Sequence, residues 1–154
     1  MSTVPGALAA LVRVIRASPA LAALNTPGQP NVRVEDGPWL ERPTEPDVIC
    51  VGWEPDEGEA VSLTPTYDLG STQESYDVVC LASSFSGGTD LAARRVRSDA
   101  LVEAVRAELM ADPTLGGAVT HAEVTTQSWA QFQTSSGCEV PIEFTVHVEA
   151  FRIP

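Results

Sequence analysis

The sequence predicts a protein of the α+β class, a single domain over residues 1–154 with an antiparallel or mixed sheet. An N-terminal helix and one long helix are expected on one face of the sheet, and a long β-hairpin at the C-terminus. Three patterns favour this class: an apolar stripe at helical spacing near residue 10, a second amphipathic stretch after residue 90, and strict alternation near the end. The length suits one continuous core better than two.

Two helices are predicted at the start of the chain. Apolar residues recur at intervals of three and four at Leu8, Leu11, Val12 and Ile15, which predicts a helix from about Val4 to Ala17. Ser18 followed by Pro19 is typical of an N-cap and a first-turn proline, so a second short helix is expected to run to Leu24.

The middle of the chain is strand-like and rich in loops. Val32 and Val34 alternate with polar residues, and Val48–Val51 has the composition of a buried strand. The acidic run Glu54–Glu59 is predicted to be a solvated loop. A further strand is expected over Tyr76–Leu81, with a loop from Ser83 to Gly88 after it.

The next helix begins after that loop, with Thr89 or Asp90 as its cap. Its expected buried positions are Leu101, Ala104, Val105 and Leu109, and its expected outward positions are Arg97, Glu103 and Arg106. Asp112-Pro113 should end the helix, and Leu115-Gly116-Gly117 should reverse the chain.

The last third carries the clearest β signal, because apolar residues alternate with polar ones from Val140 to Ala150. A three-residue loop, Ser135-Ser136-Gly137, predicts the pairs Phe132–Val140, Ala130–Ile142, Val124–Val148 and Ala122–Ala150. That register also places Glu123 opposite Glu149, a like-charge pair, and sets His121 and His147 about four strand positions apart.

Composition and charge exclude several classes of function. The formal charge is -12, and all nine basic residues are arginines, so a nucleic-acid site has few cations to draw on. The one dense cluster, Arg94, Arg95 and Arg97, fits a solvated helix face or a protein contact better.

No stretch has the length and apolarity of a membrane span. Cys50, Cys80 and Cys138 are predicted to be buried reduced thiols, with folding in a reducing cytoplasm.

The sequence offers no motif for catalysis, so no catalytic residue, metal ligand or cofactor is predicted. The Gly-Gly pair at 87–88 has no lysine after it, as a P-loop requires. His121 and His147 each begin only half of a zinc-deaminase signature. The alternative from another class is a small ligand-binding or hydrolase domain that uses one of these histidines, and a deep apolar pocket beside either would favour it.

The order of elements and four short segments resemble the tail terminator proteins of long-tailed bacteriophages. These segments are Tyr76–Cys80, Ser86–Leu91 (Ser-Gly-Gly-Thr-Asp-Leu), Asp112–Gly117 (Asp-Pro-Thr-Leu-Gly-Gly) and the alternating strand Val140–Ala150. The resemblance covers nearly the whole chain and implies a non-enzymatic virion protein of the tail-neck region. Such a protein forms a ring, usually a hexamer, on the last layer of the tail tube. Another head-tail joining or neck protein is the alternative within this class.

If the resemblance holds, the partners are further copies of the chain, the tail tube protein and the head-tail connector, and DNA only passes through the lumen. A lysine-free acidic subunit would suit that passage. The expected contact residues combine large aromatics outside the predicted core with the two acidic and glycine-rich loops. They are Trp53, Glu54, Asp56, Glu57, Phe85, Gly87, Gly88 and Trp129.

Overall fold

The computed structural model describes residues 1–53, 66–67 and 72–152. Its helices are α1 (Val4–Arg16), α2 (Pro19–Ala22) and α3 (Leu91–Ala111). Its strands are β1 (Arg33–Asp36), β2 (Asp47–Val51), β3 (Thr66–Tyr67), β4 (Gln73–Ser86), β5 (His121–Trp129), β6 (Phe132–Thr134) and β7 (Gly137–Phe151). The α+β class is confirmed.

The strands form one mixed sheet in the order β1-β2-β4-β7-β5, with β3 paired to β4 and β6 paired to β7. Among the strands of the described residues, only β1 and β2 pair in parallel. Alternate residues of β7 from Ile142 to Ala150 point into a continuous core with α1 and α3. The opposite face of the sheet carries a small second cluster, built on Val48, Cys50 and Leu81.

Helix α1 follows the predicted stripe, with Leu11, Val12 and Ile15 buried. The Thr3 side chain makes no N-cap bond within the helix. Instead the buried carboxylate of Glu74 on β4 accepts the Thr3 N–H at 2.7 Å and also the Thr3 hydroxyl. A carboxylate at this position satisfies an end-of-helix donor and faces the positive end of the helix dipole. Glu74 thus fixes the N-terminus of α1 to the sheet.

The caps predicted for α2 and α3 are confirmed. Ser18 accepts the Leu21 N–H at 3.1 Å at the start of α2, which ends at Ala22, two residues earlier than expected. Asp90 accepts the Ala93 N–H at 3.0 Å at the start of α3.

Helix α3 ends as predicted, and Asp112 organises the turn that follows. Its carboxylate accepts the Thr114 hydroxyl at 2.6 Å, the Thr114 N–H at 3.0 Å and the Gly116 N–H at 2.7 Å. These three bonds hold the pKa of Asp112 below its ordinary value, and the bond from the Thr114 hydroxyl has the largest effect. Leu115, at φ 52°, is buried beneath the turn.

The prediction of a loop from Ser83 to Gly88 was wrong at its start, because β4 continues to Ser86. Ser83 and Ser84 are fully buried, and β4 runs between β2 and β7 at this point. Buried hydroxyls are tolerated in a strand when they are hydrogen-bonded. Ser83 donates to Glu139 at 2.5 Å and Ser84 donates to Asp47 at 2.6 Å.

Arg97 was predicted to face outwards, and this was also wrong. Its Nε donates to the nearly buried carboxylate of Asp47 at 2.7 Å, and its Nη2 donates to the Leu24 carbonyl. Asp47 is the first residue of β2, so this ion pair joins α3 to the sheet and to the end of α2. Asp47, Ser84 and Arg97 form a polar cluster, and Ser98 extends it. The Ser98 hydroxyl accepts the Ser84 N–H at 3.1 Å and donates to the Val140 carbonyl at 2.5 Å.

The predicted hairpin exists, but its register was wrong. The turn has two residues, Ser135 and Ser136, and Gly137 pairs with Thr134 inside the ladder. The pairing is shifted by one residue near the turn, and a bulge at Thr125 adds a second shift beyond it. The like-charge pair disappears as a result, because Glu123 lies opposite His147 and His121 lies opposite Glu149. The two histidines are therefore two strand positions apart, and not four.

The three cysteines are free and buried, as predicted. Burial raises the pKa of Cys50 and that of Cys80 to about 12. At neutral pH both groups are protonated thiols, which are poor nucleophiles.

Replacing Arg97 with methionine should lower the free energy of unfolding by about 3 kcal/mol, because the Asp47 charge then stays buried without its partner. The matched control is Arg95→Met on the same helix, which removes an exposed bond to Gln131 and should cost at most about 0.5 kcal/mol. Denaturant unfolding of the three proteins measures both values. Equal losses in the two variants would show that the Asp47–Arg97 pair is not a main support of the fold.

Cys50 and Cys80 should not react with a thiol reagent at pH 8 in the native protein, because their raised pKa values leave almost no thiolate. All three cysteines should react at once in denaturant. Time-resolved labelling with peptide mapping distinguishes the sites, and rapid native labelling of Cys50 or Cys80 would contradict the structure.

Candidate assembly surface

A groove with aromatic walls crosses the sheet face opposite the helices, with a volume of about 410 Å³. Four aromatic side chains line it, and we call it the aromatic groove. Its lining residues are Trp39, Trp53, Leu81, Ser128, Trp129, Ala130, Phe132, Glu139, Pro141 and Glu143. They come from four strands, β4, β5, β6 and β7, and from three loops, so the groove exists only in the folded sheet.

Trp39 and Trp53 form one wall by packing on the second apolar cluster of the sheet. Their rings meet edge to face, with centroids 4.8 Å apart and planes at 61°, an arrangement that aromatic pairs favour. The Trp53 N–H donates to the Val79 carbonyl at 2.6 Å. Trp53 is therefore held by the sheet on both its backbone and its ring.

Arg42 fixes the loop that carries Trp39. Its Nε donates to the Glu139 carboxylate on β7 at 3.0 Å, and its guanidinium lies 5.9 Å from the Trp39 ring centre and 5.3 Å from that of Phe85. Three of its other N–H groups donate at 2.9–3.0 Å to the carbonyls of Pro43, Glu45 and Pro46. One side chain thus joins the loop, the end of β4 and β7.

The connection from β4 to α3 lies beside the hairpin turn. A side-chain carbon added at Gly137 would stand 2.1 Å from the Ser86 carbonyl and 2.9 Å from Gly87 Cα, and the Gly137 φ is 142°. Only glycine allows this approach. Gly87 and Gly88 themselves are exposed, and the Gly88 N–H donates to the Ser86 hydroxyl at 3.1 Å.

The structure brings some of the expected contact residues together and separates others. Trp53 and Trp129 line the same groove, whereas Phe85 lies at the end of β4 against Arg42. Glu54, Asp56 and Glu57 lie outside the described residues. Sequence reasoning placed Trp39 outside the core but not among the contact residues, and it missed Arg42 and Phe132. An aromatic residue three positions before an isolated arginine is too weak a signal to predict that the two side chains interact.

The arginine cluster at the start of α3 is used within the molecule. Besides Arg97, Arg94 donates to the Ser84 hydroxyl at 2.8 Å and Arg95 donates to the Gln131 amide oxygen at 2.7 Å. Arg94 and Arg97 are therefore bound within the fold, whereas the bond of Arg95 lies at the surface.

His147 lies on the sheet face away from the helices, among acids. Its Nδ1 is 2.8 Å from the Asp77 carboxylate, and its Nε2 is 3.3 Å from the Ser75 hydroxyl and 3.7 Å from Glu149. Over residues 1–53, 66–67 and 72–152, no three potential ligands come together as a metal site would need. His147 and Asp77 thus form a cross-strand pair at the surface of the sheet.

His121 borders an open groove of about 360 Å³ between α3 and β5. Its lining consists of Arg106, Leu109, Met110, Pro113, His121, Ala122, Glu123 and Val124. The lining includes no serine, threonine or cysteine that His121 could activate, and its nearest charged partner is Glu123 at 3.7 Å. The geometry gives the hydrolase alternative no nucleophile at this position.

No helix within the described part of the chain has the length and apolarity to cross a bilayer.

Comparison with known proteins gives a similarity of fold. No family model and no curated protein matches the chain. Among solved structures, it is similar to a chain of the virion of a native gene transfer agent (GTA) particle. The TM-score is 0.54 and the sequence identity 15%, and the match covers 93% of this chain and 94% of the other. The two chains therefore share a fold over nearly their whole lengths.

Gly137→Ala should destabilise the protein by about 1–3 kcal/mol, because the new carbon meets the Ser86 carbonyl and the backbone is in a glycine conformation. Gly87→Ala is the control, since no atom lies within 4 Å of the added carbon, and its stability should change by less than about 0.5 kcal/mol. Thermal unfolding measures both changes. A Gly137 variant as stable as the Gly87 variant would contradict the close packing of the turn on this connection.

Proposed function

We propose that this chain is a structural subunit of a phage-like virion that ends the tail tube as a ring, with a hexamer as the expected form. The observation that carries the proposal is the similarity of fold, over nearly the whole of both chains, to a chain of the gene transfer agent virion. The ring would stop tube growth and offer its other side to the head connector. Its partners would be other copies of the chain, the tail tube protein and a connector or neck protein.

The segments that resemble tail terminators support the finer part of the proposal. Ser86–Leu91 forms the connection from β4 into α3, and Asp112–Gly117 forms the turn that ends α3. Both segments make the local bonds that set the direction of the long helix. The resemblance therefore rests on residues that determine how the elements are joined.

The surface also suits an assembly role. Large aromatics are enriched at protein interfaces, where a few such residues supply much of the binding energy. Trp129 and Phe132 keep 45% and 55% of their surface exposed at the aromatic groove. We propose that this groove and the neighbouring Ser86–Asp90 connection contact other virion subunits.

The charge is compatible with DNA passing through a ring without binding to it. The formal charge is -12, and Arg42, Arg94 and Arg97 all bind partners inside the fold. A surface with few unpaired cations attracts phosphate weakly.

A head-tail joining protein of the neck is the second candidate. The same similarity of fold favours this candidate, because the solved structure is that of a virion, which contains neck proteins as well as tail proteins. The order of assembly separates the two functions: a terminator binds the finished tube before the head arrives, whereas a head-side joining protein binds the connector first.

The chain should shorten tail tubes when it is added during their polymerisation, and rings should cap the tube ends in negative-stain images. Trp129→Glu should reduce capping at least tenfold, because it places a charge at a contact that we expect to be desolvated. Val96→Glu is the matched control, since Val96 is a 73% exposed apolar residue on α3 outside the aromatic groove. Tube lengths that do not change when the wild-type chain is added would refute the terminator function. If Trp129→Glu and Val96→Glu cap the tubes equally well, the groove is not a contact surface, and the terminator function itself is unaffected.

A further inference from the structure

We propose that the outer edge of β5, from Thr125 to Trp129, is the surface where a second copy of this chain docks and adds a strand to the sheet. The inference rests on the proposed ring and names the contact that would join its neighbours. Strand addition uses main-chain hydrogen bonds for affinity and side chains beside the strand for specificity.

The edge carries main-chain groups that point away from the described part of the sheet. Strand β5 pairs with β7 on one side, and no described strand pairs with its other side. The Ala130 N–H points towards β7, because it donates to the Pro141 carbonyl at 3.0 Å. The register is regular from Thr126 to Trp129, so main-chain directions alternate and the N–H and C=O groups of Gln127 and Trp129 point outwards.

The opposite edge of the sheet is protected in ways that β5 lacks. Strand β1 has only four residues, of which Arg33, Glu35 and Asp36 are charged. Arg16 from α1 also donates to the Val34 carbonyl at 3.0 Å. Natural proteins shield edge strands with charge, proline or coverage. Thr-Thr-Gln-Ser-Trp in β5 contains no charge and no proline, and its residues are exposed.

The charge distribution indicates that the strand comes from another copy. The chain carries -12, so two copies repel each other over most of their surface. No residue between Glu123 and Glu139 is charged, and this stretch contains the whole open edge. A strand of a neighbouring acidic copy can therefore lie along this edge without facing carboxylates on it. Trp129 and Phe132, both partly exposed at the end of the edge, supply apolar anchors.

Strand β3, the described strand of the segment between β2 and β4, does not cover this edge. Strand β3 pairs with β4, and both β4 and β7 separate it from β5. That pairing directs β3 away from the β5 edge.

The test compares Gln127→Pro with Gln127→Val. Both variants lose the amide side chain, which accepts the Trp129 indole N–H at 3.1 Å, but only proline removes the outward N–H. Wild type and Gln127→Val should form the same oligomer by light scattering. Gln127→Pro should need at least about tenfold more protein to assemble. The variant loses a main-chain hydrogen bond, and the pyrrolidine ring of the proline keeps the added strand away from the edge. Circular dichroism and thermal unfolding confirm that both variants fold.

A photo-reactive residue in place of Thr125 identifies the occupant in purified protein, alone and with tail tubes. A cross-link between two copies, mapped by mass spectrometry, is the expected result. Assembly of Gln127→Pro at wild-type concentration, or a cross-link only to tube protein, would overturn the inference while leaving the ring intact. A wild-type chain that never forms rings would instead refute the proposed function.

Discussion

The partly buried ion pair of Asp47 and Arg97 is the interaction on which the arrangement of the elements depends. Asp47 begins β2 and Arg97 lies in the second turn of α3, and their 2.7 Å contact joins two elements that are fifty residues apart. Burying either charge alone would cost several kcal/mol. Ser84 and Ser98 complete the cluster by bonding to Asp47 and to β7, so β2, β4, β7 and α3 are fixed relative to one another at one point.

The two candidate surfaces follow from this arrangement. With β4 held between β2 and β7, the residues of β7 on the face away from α3 meet the Trp39–Trp53 pair and form the aromatic groove. With β5 at the end of the strand order, its outer edge remains open among the described residues. The groove offers aromatic area and the edge offers main-chain bonds, and Trp129 belongs to both. A protein that works by joining subunits needs rigid surfaces of this kind, and needs no site for a reaction.

The sequence predicted the elements well and their registers poorly. The stripe of α1, the Asp90 cap and the alternation of β7 are local patterns, and each was confirmed. The hairpin register failed because a serine-rich turn fits two-residue and three-residue loops, and because the bulge at Thr125 has no glycine to reveal it. Ser83 to Ser86 had the composition of a loop, yet buried partners in β2, β7 and α3 satisfy two of these hydroxyls. For the same reason the orientation of Arg97 could not be predicted, since its partner is distant in sequence. Of the expected contact residues, Trp53 and Trp129 share the groove, which only the folded sheet could show.

The most direct test of the account is the particle mass measured by light scattering across a concentration series, for the chain alone and for the chain with tail tubes. Each chain weighs 16.3 kDa, and the account predicts a closed assembly of about six copies, with rings at tube ends when tubes are present. A mass of one chain at every concentration, together with bare tube ends, would contradict it.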